Sequence, residues 1–162
     1  MATLIICIIL TVSAAAMSFY SLLYGTALAF LALCTAGLLP GVTLSLTTYI
    51  FWGAAMLTAV ALCCVLPRPI ALSRKGVPYI AGASLAGSMA GMAAGSGAAT
   101  IIGAVAGALL GGVAYGQTPA GRALQFPSPK FFNYLCAKGL PAATAMSMTA
   151  LATGILTAWS PS

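Results

Sequence analysis

The chain offers little that could do chemistry. Its 162 residues include no Asp, no Glu and no His, which leaves five Cys, the Ser and Thr hydroxyls and six Lys/Arg. Ser128-Pro129-Lys130 places a hydroxyl near an amine, as in a Ser–Lys hydrolase. The intervening Pro and an interfacial setting argue against the hydrogen-bonded geometry that such a dyad needs. Cys7, Cys34, Cys63, Cys64 and Cys136 form no CxxC, and four of them lie in apolar runs, where Cys behaves as a small hydrophobe. Cys136, near a membrane edge, is a candidate for palmitoylation. Gly91 to Gly97 has the glycine density of a phosphate loop, but no Gly-Lys-Ser/Thr follows and no strand precedes it, so nucleotide binding is rejected. Thr43, Ser45, Thr47, Thr48, Ser147 and Thr149 either line a polar path or bond back to helix carbonyls.

The missing residue types exclude whole classes of function. General acid–base catalysis near neutral pH recruits His, Asp or Glu. Hard-cation sites need carboxylates, and zinc or haem sites need His or clustered Cys. Proton relays across a bilayer use intramembrane acids or His. The expectation is a protein that is not an enzyme, with no metal and no obligatory cofactor. Bound lipid, or a pigment ligated by Asn, Gln or water, stays compatible with the composition.

The elements that must position these residues are helices. Hydrophobic residues make up 62% of the chain and charged residues 4%, with a mean hydropathy of +1.11. A soluble surface needs far more charge. The uncharged runs Met1–Pro67 and Val77–Ala120 exceed the roughly 20 residues of one spanning helix. The expected fold is therefore all-α, a polytopic integral membrane protein with about six transmembrane helices in a single domain, 1–162. Residues 1–66 supply three helices, with a break near Ser18-Phe19-Tyr20 and a turn at Gly37-Leu38-Leu39-Pro40-Gly41. The apolar start lacks the basic segment of a secretory signal and reads as the first helix. A basic loop, 67–79, leads to a Gly-rich hairpin, 80–116, turning at Gly95-Ser96-Gly97. A basic interfacial segment, 117–138, carries Pro119, Pro127 and Pro129 against a long regular helix, and a final helix occupies 139–159.

Ile80 to Gly116 is the stretch around which the sequence is organised. Gly87, Gly91 and Gly95 stand four apart, as do Gly103, Gly107 and Gly111, with Ala83 and Ala99 on the same ladder. A four-residue step turns a helix by about 400°, so these positions make one slowly winding face without side chains. Such a face lets a second backbone approach closely; the alternative is a pore or ligand groove. The six cations, Arg68, Arg74, Lys75, Arg122, Lys130 and Lys138, are expected to set topology or to contact anionic lipid or a partner. With six crossings they share one side, the cytoplasmic or equivalent face, and both termini lie opposite. A re-entrant hairpin gives four crossings in the same orientation.

Ser73-Arg74-Lys75-Gly76-Val77, followed by the glycine ladder and preceded by Leu39-Pro40-Gly41, resembles the small bacterial membrane proteins of domain of unknown function 456. Those proteins share a basic loop before a Gly-rich hairpin and a final apolar helix, and the resemblance implies no activity. The glycine spacing is also similar to that of glycine-zipper helices in the mitochondrial inner-membrane translocase family and respiratory accessory subunits.

These readings converge on a structural or accessory membrane subunit. It packs through the glycine-zipper hairpin in an oligomer or a larger energy-transducing complex. A small channel or carrier for a neutral or anionic solute is the alternative, with a Ser or Cys membrane hydrolase behind it. Expected partners are the lipid bilayer and other membrane subunits or copies of the chain, with no nucleic acid. The expected location is a bacterial inner membrane or an organelle inner or thylakoid-type membrane.

Overall fold

Runs of Ala, Leu, Ile and Met favour helix, and a chain with few solvated side chains has to satisfy its backbone polar groups within each segment. The computed structural model describes residues 2–65, 75–124 and 126–159, and all regular structure among them is helical. In chain order the helices are α1 (Ala2–Tyr20), α2 (Leu22–Ala36), α3 (Leu46–Val65), α4 (Val77–Ala93) and α5 (Gly97–Gly116). A 3₁₀ turn (Arg122–Leu124), the short α6 (Pro129–Tyr134), a π-helical segment (Leu135–Gly139) and α7 (Leu140–Ala158) complete the described elements. Among the described residues, three stretches are long and apolar enough to cross a membrane: α1, α5 and the continuous 30-residue run Pro129–Ala158. Arg68 and Arg74, with most of the basic loop, lie outside the described residues.

The joints follow from local chemistry. Ser21 alone breaks α1 from α2, in extended backbone at φ −148°. The two helices fold tightly because Gly25 faces the Ser18 main chain, where a Cβ would collide. Gly41, Gly76 and Gly95 take positive φ (82°, 77° and 75°) at the starts or reversals that follow α2, precede α4 and follow α4. Such φ values strongly favour glycine. Pro129 does not oppose a long helix. It occupies the first turn of α6, where its missing N–H is an orphan in any case, and Ser128 caps that turn by accepting the Phe131 N–H at 3.1 Å. The segment expected to be interfacial is therefore helical from Pro129 onward and runs straight into the last helix.

That last helix is the hub. Helix α7 packs against α1, α2, α3, α4 and α5, and it contributes to each of the three core clusters through Met146, Met148 and Ala152. Ala142, Ala143, Ala145 and Ala150 keep its surface narrow, so neighbouring helices approach from several directions while Met fills the gaps. The sequence alone places the centre in the Gly-rich hairpin; the structure places it in α7.

Successive helices alternate in direction, except that α6 runs on into α7. Tyr134 Oη donates to the Lys75 carbonyl at 2.9 Å at one end of the bundle. At the other end Trp159 Nε1 donates to the Pro40 carbonyl at 2.9 Å, tying the end of α7 to the α2–α3 turn. Trp159→Phe removes that donor and should lower stability by about 1 kcal/mol. Thermal unfolding in detergent measures it, and an unchanged midpoint would remove this bond from the account of how α7 is held.

Candidate functional site

Two features stand out: the contact between α4 and α5, and a lysine buried beside a tyrosine cluster. Along α4 every fourth residue, Tyr79, Ala83, Gly87 and Gly91, meets the backbone of Gly111, Gly107, Gly103 and Ala99 in α5. Each step up one helix is a step down the other, so the pair is antiparallel and in register over three turns. A Cβ at Gly87 would collide with the Gly103 carbonyl, and one at Gly103 with the Gly87 carbonyl. At Gly91 it would meet Ala99, at Gly107 Ala83, and at Gly111 Tyr79, in each case the backbone. The glycine hydrogen that stands where a Cβ would be points at a facing carbonyl, the geometry of a weak Cα–H···O bond. Ser84 Oγ adds a conventional bond across the pair, to the Ala104 carbonyl at 2.9 Å.

Gly95 does not join this face. The ladder ends at Gly91 and Ala99, and the next four-residue step lands in the reversal, where Gly95 has φ +75° and open space around it. Its requirement for glycine is conformational. The five remaining ladder glycines, Gly87, Gly91, Gly103, Gly107 and Gly111, all lie in the interhelical contact. That face is occupied by backbone and leaves no lumen between α4 and α5.

Most hydroxyls bond back to their own helices. Thr11 donates to Cys7, Ser18 to Ala14, Thr58 to Ala54, Thr149 to Ala145 and Thr153 to Thr149, at 2.7–2.8 Å. Thr26 donates to Leu22 at 2.6 Å and also lies 3.3 Å from the Pro141 carbonyl, joining α2 to α7. Ser45 caps α3, accepting the Thr48 N–H at 3.3 Å. Among the described residues no buried side-chain nitrogen or oxygen lacks a hydrogen-bond partner. Ser128, as the α6 cap, is engaged with backbone while Lys130 faces outward. Cys7 is buried and donates toward the Ala32 carbonyl at 3.6 Å, whereas Cys136 is exposed. Among the described residues no three His, Cys, Asp or Glu side chains gather as a metal site.

The cations divide. Lys75, Arg122 and Lys130 are exposed. Lys138, expected at the headgroup level, is instead 1% exposed. The helix begins at Pro129 and carries Lys138 about 13 Å along its axis, at 1.5 Å per residue, into the bundle. The amine turns back toward the end it came from, with Nζ 5.8 Å from the centroid of the Tyr134 ring, a cation–π distance. Tyr134 stacks on Tyr115 at 5.7 Å, and Tyr115 lies 5.8 Å from Tyr79. The Tyr134 hydroxyl and the Tyr115 ring close over Gly76, leaving no room there for a side chain. Phe126, Phe131 and Phe132 form a second aromatic group, with Phe131 buried and the other two exposed.

Lys138 sits in the π-helical segment, and Pro141 supplies the reason. Proline has no N–H to give four residues back, and its ring crowds that carbonyl, so the chain widens by one residue per turn just before it. Gly139 and Pro141 in mid-helix were the sequence trace of this site. Nothing in the spacing of the cations pointed to it.

No family model, curated protein or solved structure matches this chain. The glycine contact yields its own test. Gly87→Val forces the helices apart and should cost about 1–3 kcal/mol, as overpacking does. Gly97→Ala, where a Cβ meets nothing within 4 Å, should stay within about 0.5 kcal/mol of wild type. Equal thermal midpoints for the two variants would refute the contact.

Proposed function

We propose that this chain is a non-catalytic structural or accessory membrane subunit, crossing the bilayer six times in an oligomer or a larger energy-transducing complex. The observation that carries the reading is the closure of α4 on α5, backbone to backbone, where a conduit would need a lumen. Hydroxyls bonded to their own helices support it, since they leave little polar lining for a path. The exposed cations belong on the cytoplasmic or equivalent side by the positive-inside rule. The host would be a bacterial inner membrane or an organelle inner membrane of equivalent orientation.

The ladder glycines are spent within the chain, so contact with another subunit falls to another surface. Ile5, Ile9 and Val12 on α1 are 56%, 58% and 64% exposed and share one helix face. Lipid or a neighbouring helix suits that face. In mild detergent, native mass spectrometry should find the chain bound tightly to other polypeptides or to copies of itself. A lone monomer would overturn the subunit reading.

Lys138 favours a second reading, a small carrier for a neutral or anionic solute, because an ionisable residue inside a bundle commonly marks a solute path. Lys138→Met separates the two readings. Thermal unfolding in detergent first establishes that the Met variant folds. As a subunit, the variant still assembles. As a carrier, it stays folded and loses anion flux in liposomes.

A further inference from the structure

Irregular backbone facing lipid does not occur inside the hydrocarbon of a bilayer, because its N–H and C=O groups have no solvent there. That constraint fixes two levels on the bundle. At the end away from the exposed cations, every residue from Ala93 to Ala98, around the α4–α5 reversal, is exposed. Gly95 and Gly97 have open space around them, and Ser96 gives the first turn of α5 no side-chain cap. The N–H groups of that turn need water or headgroups, so the hydrocarbon stops short of the reversal. At the cationic end, the exposed Tyr24 and Tyr79 stand in the first turns of α2 and α4. Helix side chains lean toward the N-terminus, so both rings reach outward, to the level that aromatic residues favour at a membrane surface.

The distance between these levels is short. Along α4, Tyr79 to Gly95 is about 24 Å at 1.5 Å per residue. Along α2, Tyr24 to the cap at Gly37 is about 20 Å. In α5, Gly111 lies against Tyr79, so the part of that helix between the two levels, Gly97 to Gly111, is about 21 Å long. Beyond it, Gly112 and Tyr115 are covered by Phe131 and Tyr134. An ordinary hydrocarbon core is about 30 Å thick. A long helix such as α1 can project past a thin core with its backbone still bonded, whereas a short one cannot reach across a thick core. The short helices therefore set the band, and α2 and α4 face outward within it through Leu31 and Met89. We propose that the bundle is matched to a thin bilayer, with an apolar band of about 20–24 Å, and that it gathers phospholipids of short acyl chain around itself. The selection is by chain length and not by headgroup.

The inference rests on the reading that the bundle spans a bilayer, and the test separates the two. The full chain is reconstituted into vesicles of single phosphatidylcholines whose monounsaturated chains run from about 14 to about 22 carbons, a range that brackets the ordinary core. The vesicles are floated on a density gradient, and thermal unfolding is followed in each. The midpoint should be highest at about 14–16 carbons and about 5 °C or more lower at about 22. In vesicles of the shortest and longest lipids in equal amounts, native mass spectrometry after extraction in mild detergent should find the shorter retained at least about threefold more often. A midpoint that is flat across the series or peaks at longer chains overturns the match while leaving the spanning reading intact, as does equal retention of the two lipids. Failure to float with any of the vesicles overturns the spanning reading and the match together.

Discussion

The contact between α4 and α5 depends on what its residues lack. Two backbones can lie against each other only where neither carries a side chain, and the ladder from Tyr79 and Gly111 to Gly91 and Ala99 supplies that condition for three turns. Glycine lowers helix stability by about 1 kcal/mol relative to Ala in water, because its backbone has so many other conformations. The penalty is bearable where backbone polar groups have no solvent to turn to. The attraction is a sum of dispersion, weak Cα–H···O contacts and the Ser84 bond to Ala104, the forces that remain when lipid is as apolar as the side chains.

Around this rigid pair the rest of the chain is arranged by α7. Its Ala-rich surface can be approached from several sides, which is why one helix enters every core cluster. The same helix carries a defect. Pro141 interrupts the backbone ladder, the turn before it widens, and Lys138 is held inside the bundle against Tyr134. Tyr134 in turn reaches the Lys75 carbonyl, so the start of α4 and the root of α7 are joined through one side chain.

The two ends of the bundle are chemically different surfaces. One presents Lys75, Arg122 and Lys130 with exposed Phe126 and Phe132, a pairing of cations and aromatic rings suited to headgroups. The other has hydroxyls, helix starts and Trp159, with no cation among its described residues. An asymmetry of this kind underlies the orientation proposed for the bundle.

Much of the architecture was legible in the sequence because it is set locally. Apolar runs without charge define the helices, Gly-Ser-Gly marks the reversal before α5, and four-residue spacing defines a face without side chains. Tertiary structure decided what spacing cannot encode. Gly95 shares the ladder's period but falls in the turn, because the chain reverses before its next step. Pro129 counts against a helix in the sequence and instead begins one, since the first turn needs no N–H from it. Lys138 shares its charge with the interfacial cations, yet helix continuity through the π segment carries it inward and its neighbours close over it. Burial is a property of what packs against a residue, and α7 is the hub only because five other helices fold onto it.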